Sequence, residues 1–148
     1  GDGSQRHELQ RLVTELNMEH RVELKGWLPQ AEIAGYLSLA DVFVSPPDFE
    51  GLGTVFIEAL ACGVPVVGTS VGGILDIIED GKNGILVPPG DTGKLAQGIK
   101  KVLDDAKLRN GFIEQGLKKV KEKFLWESVY KEVGQIYQSL LQSPRGDG

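Results

Sequence analysis

The chain has 148 residues, of which 41% are apolar and 25% charged, and carries a formal charge of −5. That length holds one domain with its own core rather than two, and the acidic balance argues against a general nucleic-acid surface, which needs clustered Lys and Arg. One cysteine excludes an internal disulfide and suits a reducing cytosol; with no apolar run of spanning length and no signal peptide, the chain reads as soluble and cytoplasmic.

Leu9, Leu12, Val13 and Leu16 recur at helical spacing, and Val22 to Leu24 then predicts a short strand before a loop at Gly26. Ile33, Tyr36, Leu37 and Ala40 give a second helical stripe, and Val42 to Ser45 the next strand, which two prolines stop. A helix is expected over residues 54–62, with Cys62 in ALACGVP as a small packed residue at its end. Val64 to Thr69 reads as a buried strand. Val71-Gly72-Gly73 reads as a turn opening a short helix toward Ile78, with both glycines facing the same crevice as the preceding loop. Ile85 to Val87 is a last strand before Pro88 and Pro89, after which Asp91 or Thr92 caps a helix bearing Leu95, Ile99, Val102 and Leu103. Helices alone remain after that, the last with an apolar face of Val129, Val133, Ile136 and Leu140. This alternation predicts an α/β fold, a doubly wound Rossmann-like parallel sheet covered by helices, over residues 1–141, with 142–148 as a flexible tail.

Glu50 and Glu58, eight positions apart in EGLGTVFIE, carry the chemistry. Gly51 and Gly53 let backbone amides come close to a ligand, and Thr54 can cap a helix whose unpaired N–H groups favour a phosphate. Glu58 lies one turn into that helix, where a carboxylate can accept hydrogen bonds from paired ribose hydroxyls, and Glu50 on the loop can meet a sugar. The plainer alternative is a common strand-loop-helix connection with two surface carboxylates. Other signals have plain readings. Lys118, Lys119, Lys121 and Lys123 read as a solvated helix face interrupted by Glu122 rather than a site for acidic lipids. Arg145-Gly146-Asp147 is a chance tripeptide. His7, His20 and Cys62 lack metal-ligand spacing and no Asp-x-Asp pair is present, so neither metal nor cofactor is expected. Trp27 and Trp126 read as packing residues more than as stacking platforms.

The block SPPDFEGLGTVFIEALACGVPVVGTSVGGILDIIEDGKNGILVPPGD resembles the signature of the retaining glycosyltransferases of family 4, in the C-terminal, donor-binding half of their GT-B fold. The resemblance implies that Glu50 touches the transferred sugar, that the amides of Gly51, Leu52, Gly53, Thr54 and Val55 hold sugar hydroxyls and phosphate, and that Glu58 holds the nucleotide ribose. It extends with less specific motifs to about residue 141. Gly1-Asp2-Gly3 resembles the end of the family's second strand and RVELKGWLPQAEIAGYLSLADVFV its third strand, helix and fourth strand, so that Trp27 and Leu28 lie where the base docks. Pro47, Leu52 and Asp76 depart from the Ser, Phe and Glu usual at their positions.

The resemblance also implies what these 148 residues do not contain. The family's first βαβ element, roughly thirty or more residues, carries an Arg and a Lys that neutralise the donor phosphates, and neither has a counterpart here; nor does the acceptor domain. In the 3-2-1-4-5-6 order, strands one and two separate the third from the fourth. The implied function is donor binding in a retaining transfer of a hexose from a nucleotide-sugar to a sugar or lipid-linked acceptor, inactive in this chain alone. An acceptor domain or partner chain completes the site. Peripheral membrane association and self-association through exposed strand edges fit the same picture. Two rivals stand beside it: a non-catalytic nucleotide-binding subunit of a split glycosyltransferase, and a doubly wound module in which Glu50 and Glu58 are only surface groups.

Overall fold

Three short runs rich in β-branched residues form the sheet. In the computed structural model, which describes residues 2–142, they are β1 (Phe43–Ser45), β2 (Val66–Thr69) and β3 (Gly84–Val87). All are parallel in the order β1-β2-β3, with Phe43 opposite Val66 and Gly68 opposite Leu86. Because the strands run the same way, their carboxyl ends share one edge, where Pro46, Ser70 and Pro88 begin the next loops. Doubly wound sheets bind ligands outside that edge.

The chain divides into two compact units, residues 1–36 and 37–148. The first holds α1 (Arg6–Glu15) and the start of α2 (Gln30–Ser38). No strand forms over 22–24, contrary to the sequence expectation, and Asp2 and Gly3 are not in a strand either. A strand needs a neighbour for its ladder, and no described residue forms a ladder with residues 22–24. The Leu24 carbonyl instead accepts from Arg6 Nη2 at 2.9 Å. Asp2 pairs with Arg6 at 3.1 Å and accepts from the Trp27 amide at 2.8 Å, so one carboxylate holds both the helix entrance and the Gly26–Trp27 loop.

The second unit places α3 (Thr54–Ala61), α4 (Ile74–Ile77), α5 (Thr92–Asp104), α6 (Ala106–Lys119), a π-helical turn (Val120–Phe124) and α7 (Trp126–Gln142) around the sheet. The central strand sorts them by its two-residue alternation. A Cβ at Gly68 would meet Phe56, on α3, and Ile78, and Val66 lies against Gly84 near Ile78; Val67 turns the other way, toward Gly98 of α5. One core therefore gathers Phe56, Leu60, Ile74, Ile77 and Ile78, and the other Val67, Val102 and Phe112 with Val44, Ile85 and Ile99 around them. Phe56 is fully buried and meets Phe43 edge-on, ring centroids 5.4 Å apart.

Asp91, and not Thr92, caps α5 by accepting from the Lys94 amide at 2.8 Å, which holds its carboxyl below the usual range. Lys119 is not part of a solvated face: its side chain is only 16% exposed and pairs with Glu79 at 3.1 Å. The expected apolar face of α7 exists, but Val133, Ile136 and Leu140 on it are exposed, and so are Trp126 and Tyr130, which stack on each other. Gln142 closes α7, while the rest of the expected tail, with Arg145-Gly146-Asp147, lies outside the described residues. No helix among the described residues is long and apolar enough to cross a membrane.

Phe56 joins α3 to β1 through its ring contact with Phe43. Phe56→Ala is expected to cost about 3–5 kcal/mol, read as a lower urea midpoint.

Candidate functional site

The loop leaving β1 is fixed at both ends before any side chain reaches a ligand. At its start the Pro47 carbonyl accepts from the buried Thr69 hydroxyl at 2.6 Å, tying it to the end of β2. At its far end Gly53 adopts φ +75° and forms the N-cap of α3, a left-handed backbone that glycine takes without steric cost. Thr54 is thus the first helical residue rather than the cap expected of it.

Between these points the Glu50–Gly51 backbone lies directly on the turn after β2. The Gly73 amide donates to the Glu50 carbonyl at 3.1 Å. A Cβ on Gly72 would stand 1.9 Å from that same oxygen, and one on Gly73 would stand 2.4 Å from the Gly51 carbonyl oxygen. Gly72 also has φ +47°, whereas Gly73, at φ −65°, is required for space alone. The expectation that these glycines face the loop's crevice becomes specific: they are the seat on which the loop rests.

The Glu50 side chain folds back over the helix entrance. Its Oε1 accepts from the Leu52 amide at 3.2 Å and the Gly53 amide at 3.0 Å. The Phe56 amide is bonded to the Gly53 carbonyl at 2.9 Å. The amides of Thr54 and Val55 have no protein acceptor among the described residues, and both residues are exposed. Two N–H groups at the positive end of a helix dipole are therefore presented outward, beside a carboxylate. Glu58 stands one turn along on the same face as Thr54 and is half-buried.

These residues occupy one loop and one helix, so Glu50, Gly51, Leu52, Gly53, Thr54, Val55 and Glu58 are brought together. Trp27 and Leu28 belong to the other unit, where Trp27 is 73% exposed and Leu28 half-buried. Beyond the carboxyl ends of the strands, Pro46, Asp48, Thr69, Pro88, Asp91 and Leu95 line a cavity of ≈ 120 Å³. A larger cavity of ≈ 450 Å³, between Gly81–Lys82 and α6, lies near the amino end of β3 and shares no residue with the loop. Size alone would choose the second; the carboxyl edge of a parallel sheet is the better guide to chemistry. Two features escaped the sequence reading: the fold-back of Glu50 and the Thr69 bridge. A carboxylate two and three residues before the amides it accepts from resembles the turn-capping habit of Asp and Asn, which is the signal that could have revealed the first.

A parallel sheet, a glycine loop opening a helix at its carboxyl edge and a carboxylate one turn on place the candidate site where doubly wound α/β folds bind ligands. Residues 1–119 match the family described as Glycosyl transferases group 1, and the chain belongs to that family. It is 34% identical over 145 residues to the N-acetyl-alpha-D-glucosaminyl L-malate synthase of Bacillus anthracis, covering 98% of this chain and 38% of that protein. Among solved structures it is similar to sucrose-phosphate synthase from Thermosynechococcus elongatus, with 36% identity and a TM-score of 0.82 over 95% of this chain and 35% of the other. It also resembles Anabaena HepE in complex with UDP-glucose, with 26% identity and a TM-score of 0.82 over 93% of this chain and 38% of that one. The chain thus spans about a third of the length of the proteins it matches, and its fold is that of the GT-B glycosyltransferases.

The glycine seat gives a direct test. Gly73→Ala should displace the Glu50–Leu52 backbone and cost about 1–3 kcal/mol, with amide shifts at Gly51, Leu52 and Gly53. Gly111→Ala, in α6 with nothing within 4 Å of its Cβ, should instead stabilise by about 0.5–1 kcal/mol. Chemical denaturation of both variants, with amide correlation spectra, checks the contrast.

Proposed function

We propose that this chain is the donor-binding part of a retaining glycosyltransferase of family 4 that moves a hexose from a nucleotide-sugar to a sugar or lipid-linked acceptor. The observation that carries the reading is the α3 entrance: exposed amides at Thr54 and Val55 without a protein acceptor among the described residues, with Glu50 on the loop before them and Glu58 one helical turn after Thr54. UDP-glucose in the similar Anabaena protein supports a ligand of this class. In this reading the amides take the pyrophosphate, Glu58 takes the ribose hydroxyls and Glu50 positions the sugar.

The chemistry follows from the leaving group. As the glycosidic bond breaks, negative charge collects on the departing nucleoside diphosphate, and preorganised amides at a helix N-terminus lower the cost of that charge. Retention invites a nucleophile, and a pair of flanking carboxylates does that work in hydrolases. Glu58 on the ribose is too remote to partner Glu50, so Glu50 is assigned to positioning. No cation lies between Glu50 and Glu58 in the sequence, so the Arg and Lys that the family supplies to the phosphates must act from outside these residues. The 148-residue chain is therefore expected to bind donor without transferring sugar.

Two further readings belong here. Work in the cytoplasm, peripheral to a membrane, suits a lipid-linked acceptor. Self-association follows from the sheet: β1 and β3 are both edge strands, and an unpaired edge is a template for another chain. Light scattering should show a concentration-dependent dimer, and a monomer at high concentration would remove that reading.

Titrating the isotope-labelled chain with UDP-glucose and a GDP-hexose tests the main proposal. Amide shifts at Gly51, Gly53, Thr54 and Glu58 for one nucleotide are expected, and Glu58→Ala should weaken binding about tenfold or more, the loss of charge-assisted hydrogen bonds worth roughly 1.5–3 kcal/mol. Unchanged affinity in Glu58→Ala, or sugar transfer by the purified chain, would sink it.

A further inference from the structure

The α3 entrance offers four consecutive amides, and they are not equivalent. Those of Leu52 and Gly53 are engaged by Glu50 Oε1, while those of Thr54 and Val55 point outward with no protein acceptor among the described residues. The carboxylate is thus seated on half of the anion-binding surface and beside the other half. Its backbone cannot slide to relieve this, because the Glu50 carbonyl is held by the Gly73 amide and walled by Gly72. Only the side-chain torsions of Glu50 are left to move.

A pyrophosphate brings two linked anionic groups to this entrance. If it uses all four amides, it must displace the carboxylate; if it uses only Thr54 and Val55, it must sit next to a like charge. In both cases Glu50 opposes the bare phosphates. A neutral hexose attached to those phosphates changes the balance, since its hydroxyls can donate to the displaced carboxylate.

Resting on the donor-site reading above, we propose that Glu50 is a resident anion of the loop: its carboxylate competes with the pyrophosphate for the α3 amides and is released onto the sugar only when a complete donor binds. The consequence is selectivity. Bare nucleoside diphosphate, the product of transfer, binds against the carboxylate, and nucleotide-sugar binds with it. Glu50 then acts as a specificity determinant between donor and product in addition to positioning the sugar.

The test uses the 148-residue chain and three probes: inorganic pyrophosphate, which has no base or sugar, a nucleoside diphosphate (UDP or GDP), and the matching hexose nucleotide. Glu50→Gln keeps an oxygen that can accept from Leu52 and Gly53 but removes the charge. Glu50→Ala removes both, and a dispersed amide spectrum checks folding. Calorimetric titration should show Glu50→Gln binding pyrophosphate and the nucleoside diphosphate about five- to tenfold more tightly than the parent chain, the size of one screened charge contact. The affinity advantage of the hexose nucleotide over the nucleoside diphosphate should shrink by a similar factor. Pyrophosphate affinity that is unchanged or weaker in Glu50→Gln would overturn the inference and reduce Glu50 to a loop cap. Nucleotide binding by the parent chain that is lost in Glu58→Gln would still uphold the donor site in that event. Failure of every probe on the parent and both Glu50 variants would overturn the donor-site reading and this inference together.

Discussion

The contact on which the site depends is between two stretches of backbone. Glu50 and Gly51, after β1, lie against Gly72 and Gly73, after β2, close enough that no Cβ fits between the Gly72 position and the Glu50 carbonyl. Loops at the carboxyl edge of a sheet are otherwise held only by the strands they leave, and would sample many conformations. Here the second loop is a rigid wall for the first, and the Thr69 hydroxyl on the Pro47 carbonyl fixes the entry to it. The direction of the Leu52 to Val55 amides is thereby set by packing. That is a requirement for charge stabilisation without reorganisation.

The helix these amides open is only eight residues long, too short to persist alone. Its order comes from burial: Phe56, Ala59 and Leu60 are within the core, and Phe56 reaches across to Phe43 of β1. The same periodicity that turns those three inward leaves Thr54, Val55 and Glu58 on or near the outer side. Core and site are two faces of one turn-and-a-half of helix, so a change in the Phe56 packing is felt at the amides.

Much of this was legible in the sequence, and the boundary of what was not has a physical cause. The β1, β2 and β3 runs and the helices between them follow from β-branched clusters, prolines and helical stripes, each of which acts locally. The strand over 22–24 failed because ladder pairing is not local: Val22 to Leu24 has the composition of a strand, but Arg6 satisfies the Leu24 carbonyl in place of a neighbouring strand. The glycine cap of α3 was misassigned by one residue because Thr54 has the chemistry of a cap, whereas Gly53 has the backbone freedom that the turn required. That Glu50 and Glu58 flank one loop and helix entrance was legible from their spacing, but the rotamer of Glu50 was not. A side chain that bonds its own loop is chosen by torsions that no spacing rule encodes.

In the proposed donor-binding reading, an anion at this loop is met by dipoles, because residues 46–58 contain no Lys or Arg. The formal charge of −5 and the two carboxylates at the loop both repel a nucleotide at long range, a repulsion that salt screens beyond about 10 Å. Close in, that reading gives the leading part to the Thr54 and Val55 amides, which have no protein acceptor among the described residues. This division separates recognition from rate. In that reading, amides and carboxylates select a donor by shape and hydroxyl pattern, and cationic groups outside this loop take the remainder of the charge that develops on a leaving pyrophosphate. Selection of the donor and acceleration of its cleavage would then be properties of different parts of the protein, and a carboxylate placed over the amides makes the first of these sensitive to whether a sugar is attached.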